Sequence, residues 1–273
     1  MPLATRNLSQ RFPARRAFIT GGASGLGLAC AESLAREGWK LILTDVDEAR
    51  LGLVAQSLER EGAQVAAAAC DVRDAEGLRA LVDRAVAVVG GLDVSIHSAG
   101  VAAAGPFTSG PLADWHWVFD VNLHGVANSC RAVAPHLARS GSGGLIINVA
   151  SAASFCTGAN MSAYNTAKAA VVALSESLMQ EYAQYGIQVV AAMPGFFRTR
   201  LMEQARGPDK VLDHARRIMN DSGLEAAEVA EALLNAAARG DTHFVYPGRY
   251  QMLWRLKRLM PQSFQKLFPK IVR

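Results

Sequence analysis

The sequence holds no C-x-x-C pair: its four cysteines, Cys30, Cys70, Cys130 and Cys156, are scattered singly through 273 residues. That scatter excludes the usual zinc knuckle and dithiol redox couple, and it fits a reduced, cytoplasmic chain with no bound metal. Nowhere do apolar residues run for the about 18 positions a membrane-spanning helix requires. The first fifteen residues carry Arg6, Arg11 and Arg15 but no apolar stretch of signal-peptide length, so secretion is not expected. Charge is sparse, at 19% of residues against 51% apolar, which excludes a disordered chain and leaves ample material for a core. No Pro/Gly/Ser-rich linker, internal repeat or low-complexity tract divides the chain. Acidic residues are missing altogether from Arg249 onward, where seven basic residues stand. Outside that stretch 21 basic residues face 24 acidic ones, so the net charge of +4 belongs to one end of the chain. A nucleic-acid-binding face across the whole molecule is therefore not expected.

What is present is an alternation of short apolar strands with amphipathic helices. Strands are expected at Arg16 to Thr20, Leu41 to Asp45, Gln64 to Asp71, Asp93 to Gly100, Gly144 to Ser151, Ile187 to Met193 and His243 to Tyr246. Between them the spacing predicts helices over Leu26 to Arg36, up to Glu59, Ala75 to Val88, Asp114 to Arg139, Ser162 to Tyr185 and Glu225 to Arg239. Strands that are apolar on both sides, each followed by a helix, indicate βαβ units. The expected fold is α/β: a single doubly wound, parallel, Rossmann-like sheet with helices on both faces. We expect one catalytic domain over 1–248, holding the cofactor and substrate sites together, and a basic amphipathic tail over 249–273.

The turn after the first strand reads TGGASGLG, with Gly21, Gly25 and Gly27 where the chain enters a helix. Glycines let a backbone approach a pyrophosphate, whose charge the helix N-terminus favours, although an ordinary glycine-rich turn reads the same way. No Lys-Ser or Lys-Thr follows, which excludes a triphosphate-binding P-loop. Asp45 ends the second strand, where a carboxylate can bind both adenosine ribose hydroxyls of NAD and repel the 2′-phosphate of NADP. Neither Ser24 nor Val46 supplies a cation for that phosphate, so NAD is favoured over NADP. A cap for the helix beginning near Asp47 is the other reading of Asp45.

Tyr164 and Lys168 stand four apart in a helical segment and so share a face. A nearby ammonium lowers the pKa of a phenol, which then takes the proton from an alcohol or gives one to a carbonyl. By itself such a pair is common on helix surfaces. Taken together, however, TGGASGLG, Asp71-Val72, Ser98-Ala99-Gly100, Asn122, Ser151, Tyr164-x-x-x-Lys168 and Pro194-Gly195 resemble, in order and spacing, the short-chain dehydrogenase/reductase family. The likeness spans about Ala14 to Tyr246. It implies a nicotinamide-dependent oxidoreductase in which Ser151 binds the substrate oxygen, Tyr164 is the acid/base, Lys168 binds the nicotinamide ribose, and Asn122 holds a water in a proton relay. It further implies that Gly21, Ser24, Gly25, Leu26 and Gly27 hold the pyrophosphate side, and that Asp71 and Val72 flank the adenine. Ser98, Ala99, Gly100, Pro194, Gly195 and Thr199 would complete the cofactor site, Thr199 at the carboxamide. Purely structural roles also suit three of these residues: Ser151 as a strand-end cap, Asn122 as a buried amide bound by backbone, Thr199 as a helix cap. His97 departs from the family, which usually has Asn-Asn-Ala-Gly here; on an apolar strand it reads as a structural stand-in for Asn.

Phe155, Met161, Phe196, Phe197 and Met202 are candidates for an apolar substrate pocket, suited to a secondary alcohol or ketone. A homodimer or homotetramer through the helices Asp114 to Arg139 and Ser162 to Tyr185 is what the resemblance implies. Two rivals share parts of the pattern: a binding or regulatory protein that keeps the fold without turnover, and a Rossmann-like methyltransferase, which has no use for Tyr164 and Lys168. From Tyr250 to Ile271, apolar residues recur at helical spacing with Lys and Arg between them and a break at Pro261. Two short helices are expected there, either packed on the domain or a subunit, or making peripheral contact with a membrane surface.

Overall fold

The computed structural model describes residues 7–139 and 143–271, with the side chains of the last three excepted; Arg6, Arg273 and the side chains of Lys270 and Ile271 lie outside the described residues. Seven strands, β1 (Arg16–Thr20), β2 (Lys40–Thr44), β3 (Val65–Ala67), β4 (Val94–His97), β5 (Gly144–Val149), β6 (Ile187–Pro194) and β7 (His243–Tyr246), form one sheet in the order β3-β2-β1-β4-β5-β6-β7. Every neighbouring pair is parallel. A short α1 (Leu8–Arg11) precedes β1. The connections that follow run through α2 (Gly25–Arg36), α3 (Glu48–Arg60), α4 (Ala75–Val89), α5 (Leu112–Phe119), α6 (Gly125–Ala138), α7 (Ser162–Glu181), α8 (Asp209–Asn220) and α9 (Ala226–Arg239). Beyond β7 the chain forms α10 (Gly248–Leu259) and α11 (Pro261–Ile271).

The alternation of side chains along each strand splits the core in two. Ala17, Ile19, Leu41, Leu43, Val94 and Ile96 face one side, where they meet Leu34 of α2, Leu58 of α3 and Leu233 of α9. Phe18, Ile42, Ile146 and Val189 face the other, against Val82 of α4, Val133 of α6 and Val171 of α7. A strand covered on both faces is apolar at most successive positions, which is why these strands read as largely apolar runs; Ser95, His97 and Asn148 are buried polar exceptions bonded to one another.

Strand order also locates the site. From β1 the chain winds outward through β2 to β3, then returns to place β4 on the opposite side of β1. The connections after β1 and β4 therefore leave in opposite directions and open a crevice at the carboxyl ends of the strands, where ligands bind in such sheets.

Four elements differ from expectation. β3 is three residues long: as an edge strand it has β2 alone to pair with, and beyond Ala67 the chain runs on beside β2 with Ala68 N donating to Leu43 O and Cys70 N to Asp45 O, each at 3.1 Å, and with Ala68 and Ala69 exposed. The helix expected over Asp114 to Arg139 begins at Leu112 and is interrupted by a π-turn at Asp120–His124 between α5 and α6. α7 ends at Glu181, and a 3₁₀ turn, Ala183–Tyr185, takes the chain to Gly186. α8 was not anticipated.

Candidate active site

The turn after β1 is built for close backbone approach. Gly25 begins α2 at φ +55°, a left-handed conformation open to glycine, and a Cβ there would lie 2.8 Å from Thr199 Oγ1. At Gly27 a Cβ would drive into the carbonyl of Gly21, so only glycine lets α2 sit this tightly on the β1 turn. Gly21 rests on the backbone of Ser98 and Ala99, which Thr20 anchors: its carbonyl accepts from Ser98 N at 3.2 Å and its hydroxyl from Ala99 N at 3.3 Å. Ser24 occupies the N-cap position of α2 in extended backbone, yet its side chain makes no capping bond, and no acidic residue stands in the first turn. The first N–H groups of α2 thus keep their capacity for an anion, beside a glycine cradle, which fits the pyrophosphate of a dinucleotide. Leu26 points into the core of the same face.

Asp45, just past β2, accepts from Ala23 N at 3.1 Å and from Asp47 N at 3.1 Å. It is not the helix cap; Asp47 takes that role by accepting from Arg50 N at 3.0 Å. The carboxylate of Asp45 is therefore fixed against the glycine-rich turn. Asp71 is engaged by Arg73, with Nε at 3.0 and 2.9 Å from its two oxygens, and this charged partner holds its carboxyl below the usual range. Val72 is buried against Gly125, and its carbonyl accepts from Asn128 at 3.0 Å.

Asn122 lies inside the π-turn, fully buried. Its amide donates to Val101 O and accepts from Val101 N, both at 2.8 Å, so it clamps the segment that follows β4. Gly100 sits between it and α7: a Cβ on Gly100 would be 3.0 Å from Asn122 Oδ1 and 3.5 Å from Lys168 Nζ. Single π-turns of this kind cluster at functional sites because the inserted residue re-aims one side chain.

Ser151 follows β5 and caps a 3₁₀ turn, Ala152–Ser154, accepting from Ala153 N at 3.1 Å. Its hydroxyl also acts on the Tyr164 phenol, favouring the ionised form. The cap and the contact with Tyr164 coexist. Burial is the dominant influence on the Tyr164 phenol. Lys168 Nζ donates to Val149 O at 2.8 Å and stands 5.8 Å from the Tyr164 ring centre. Burial pushes Tyr164 up to about 12, against the downward pull of Ser151, and burial brings Lys168 down to about 8. Tyr164 is accordingly held neutral.

Tyr164 packs in an apolar cluster with Ala102, Met202, Leu212 and Met219, joined by Met161, Ala153 and Ala205. Of the expected pocket residues, Met161 and Met202 are there. Phe155 instead lies under α10 with Tyr250, Leu253 and Trp254; Phe197 packs in the opposite face of the core, and Phe196 is exposed. Sequence reasoning missed Ala102, Leu212 and Met219, although Leu212, Ala215 and Met219 do recur at helical spacing. The segment carrying this cover is strapped to the chain after β4 through Arg206. Arg206 N donates to Ala102 O at 3.1 Å, Ala104 N donates to Arg206 O at 2.8 Å, and the guanidinium reaches Asp114 at 3.1 Å while lying 3.9 Å over the Trp117 ring.

On the strand side, Pro194 ends β6, and Gly195 N donates to Tyr246 O at 2.7 Å. Thr199 caps the 3₁₀ turn Arg200–Met202 and faces Gly25 across the crevice, so it both caps and borders the cradle. His97 is buried away from this chemistry. Its Nδ1 pairs with Asn148 Oδ1 and its Nε2 with Ser95 Oγ, each at 2.7 Å, while Asn148 Nδ2 donates to Ser175 Oγ at 3.0 Å. Since Asn148 Oδ1 can only accept, Nδ1 carries the ring proton. Burial depresses His97 to about 4, so it is neutral and ties β4 to β5 and, through Ser175, to α7.

The sequence profile of short chain dehydrogenases matches residues 15–210. A probable oxidoreductase of Mycobacterium tuberculosis, EphD, is 32% identical over 257 residues, which make up 90% of this chain but 43% of that protein, so the chain spans less than half the length of this relative. Among solved structures, a short chain dehydrogenase/reductase from Burkholderia phymatum in complex with NAD matches with a TM-score of 0.82 and 30% identity, covering 89% of this chain and 92% of that one. An alcohol dehydrogenase from the archaeon Thermococcus sibiricus, complexed with 5-hydroxy-NADP, matches with a TM-score of 0.75 and 25% identity over 86% of this chain and 97% of that one. On the parallel sheet, the glycine cradle at its switch point and this profile, the chain belongs to the short-chain dehydrogenase/reductase family of oxidoreductases.

Proposed function

We propose that the protein catalyses the NAD-dependent interconversion of an apolar secondary alcohol and its ketone, with Tyr164 as acid and base. The observation that carries this reading is a tyrosine held neutral by burial, beside Ser151 and packed among methionine, leucine and alanine side chains, with Lys168 Nζ 5.8 Å from its ring centre. In that setting a ketone oxygen would accept hydrogen bonds from Ser151 and Tyr164, which polarises the carbonyl toward attack at carbon. Reduced nicotinamide, when bound, supplies the hydride. Tyr164 gives its proton to the oxygen as negative charge develops there, and it takes that proton back from the alcohol in the oxidative direction.

The remaining roles follow from placement. The α2 N-terminus and the glycine cradle would hold the pyrophosphate, and Asp45, fixed by Ala23 and Asp47, would meet the adenosine ribose and disfavour a 2′-phosphate. Lys168, close to neutrality at about 8, would bind the nicotinamide ribose and return protons to Tyr164. Asn122, bound on both sides to Val101, would hold the segment beside Lys168 in register.

The test is a spectrophotometric screen of ketones of increasing chain and ring size with NADH and NADPH, alongside fluorescence titration of both cofactors. We expect turnover with NADH that rises with apolar size and is absent for sugar phosphates. Cofactor binding without turnover across the panel would favour the regulatory reading, and failure to bind either cofactor would overturn both.

A further inference from the structure

We propose that α10 and α11 form an interfacial platform that docks this protein on an anionic phospholipid surface. α10 is apolar on two opposite sides. Its inner side packs on the domain: the Tyr250 ring lies against Gly195, Leu253 and Trp254 join the core around Phe155, and Lys257 Nζ donates to Phe155 O at 2.8 Å. Phe264 and Phe268 of α11 are likewise buried, stacked with ring centres 5.2 Å apart.

That packing uses up one side only. Met252 and Leu259, seven residues apart and so on one face of α10, are 66% and 81% exposed; Met260 and Leu267 are 49% and 46% exposed. Arg249, Arg255 and Arg258 on α10 and Lys266 on α11 are exposed beside them. Over 249–273 seven cations stand without one carboxylate, whereas the other 248 residues carry a slight acidic excess.

Two features of this face select the occupant. Glu176 of α7 meets Arg258 at 3.9 Å, while Arg249, Arg255 and Lys266 are left as cations around exposed methionine and leucine, the pattern of helices that lie in a membrane interface, apolar side chains in the acyl boundary and cations on the head groups. The same charge opposes a second copy of the chain, since a two-fold contact would set these cations against themselves. The inner side of α10 adjoins Gly195, just past β6 at the carboxyl end of the sheet, so a docked protein would bring the crevice close to lipid, and with it an apolar substrate. That consequence rests on the apolar-ketone reading; docking does not, and it is measured without turnover.

The experiment is sedimentation of the full chain with phosphatidylglycerol/phosphatidylcholine vesicles and with pure phosphatidylcholine vesicles at low salt. Three proteins are compared: the unmodified chain, a variant combining Met252→Ser, Leu259→Ser, Met260→Ser and Leu267→Ser, and one combining Arg249→Gln, Arg255→Gln and Lys266→Gln. Thermal melts establish that both variants fold. The unmodified protein should partition at least tenfold more strongly to the anionic vesicles, and each folded variant should lose at least tenfold. Absence of binding to anionic vesicles, or equal binding to both kinds, would overturn the proposal. So would a self-association of the unmodified chain abolished by the serine variant, because the face would then be a protein interface.

Discussion

The buried histidine offers a prediction whose size can be worked out. His97 has an ordinary pKa of 6.5, but in the fold burial takes it down to about 4. Above 6.5 both folded and unfolded chains hold it neutral, and its contribution to stability is complete. As the pH falls below 6.5 the unfolded chain binds a proton that the folded one refuses, so stability is lost progressively until the folded pKa is reached. Between pH 7.5 and pH 5 this one group removes about 2 kcal/mol, from the difference between the two binding curves. His97→Asn retains an amide that can pair with Asn148 but cannot titrate. The variant should be less stable at pH 7.5, since a smaller side chain leaves a void and the Ser95 hydroxyl loses its acceptor. Its further loss on acidification to pH 5 should be smaller than that of the unmodified protein by about 2 kcal/mol. Urea unfolding followed by circular dichroism at both pH values measures this difference. Parallel losses in the two proteins would show that His97 is not held neutral, and the Ser95–His97–Asn148–Ser175 network would need redrawing.

Cofactor choice and assembly give two more tests. Asp45→Ala combined with Val46→Arg should shift the ratio of NADPH to NADH affinity at least tenfold toward NADPH in fluorescence titrations; an unmodified protein that already prefers NADPH would contradict the role given to Asp45. Half-exposed Ala169 and Ala170 and exposed Ala173 leave α7 open to close approach by another helix, so sedimentation equilibrium should give a dimer or tetramer that Ala173→Glu dissociates. A monomer across a wide concentration range would refute this.

Much of the fold was legible because its signals are local. Strands such as Leu145 to Val149 are apolar at every position but Asn148, and the turn chemistry of Gly21 to Gly27 sits where a strand passes into a helix. The π-turn at Asn122 left no such trace, since one extra residue in a helical turn barely disturbs the 3.6-residue pattern on either side. α8 was missed because its apolar residues, Val211, Leu212, Ala215, Ile218 and Met219, stand among many charges. Lys168 was placed on the right helix face, but its head group follows the Val149 carbonyl, an acceptor brought near by strand order alone. In the 249–273 segment the helices and their break at Pro261 were readable, whereas which apolar residues turn inward depended on the surface α10 meets.

The central claim is that Tyr164 supplies the transferred proton. Tyr164→Phe keeps the ring, and with it the packing against Met202 and Leu212, and removes only the hydroxyl. Turnover of the best ketone with NADH should fall by about 10²-fold or more. NADH affinity, measured on the same preparation by fluorescence enhancement, should change by less than about threefold, since the substitution spares the cradle that holds the dinucleotide. Retained turnover in that variant, or a loss of NADH binding matching the loss of rate, would contradict the assignment.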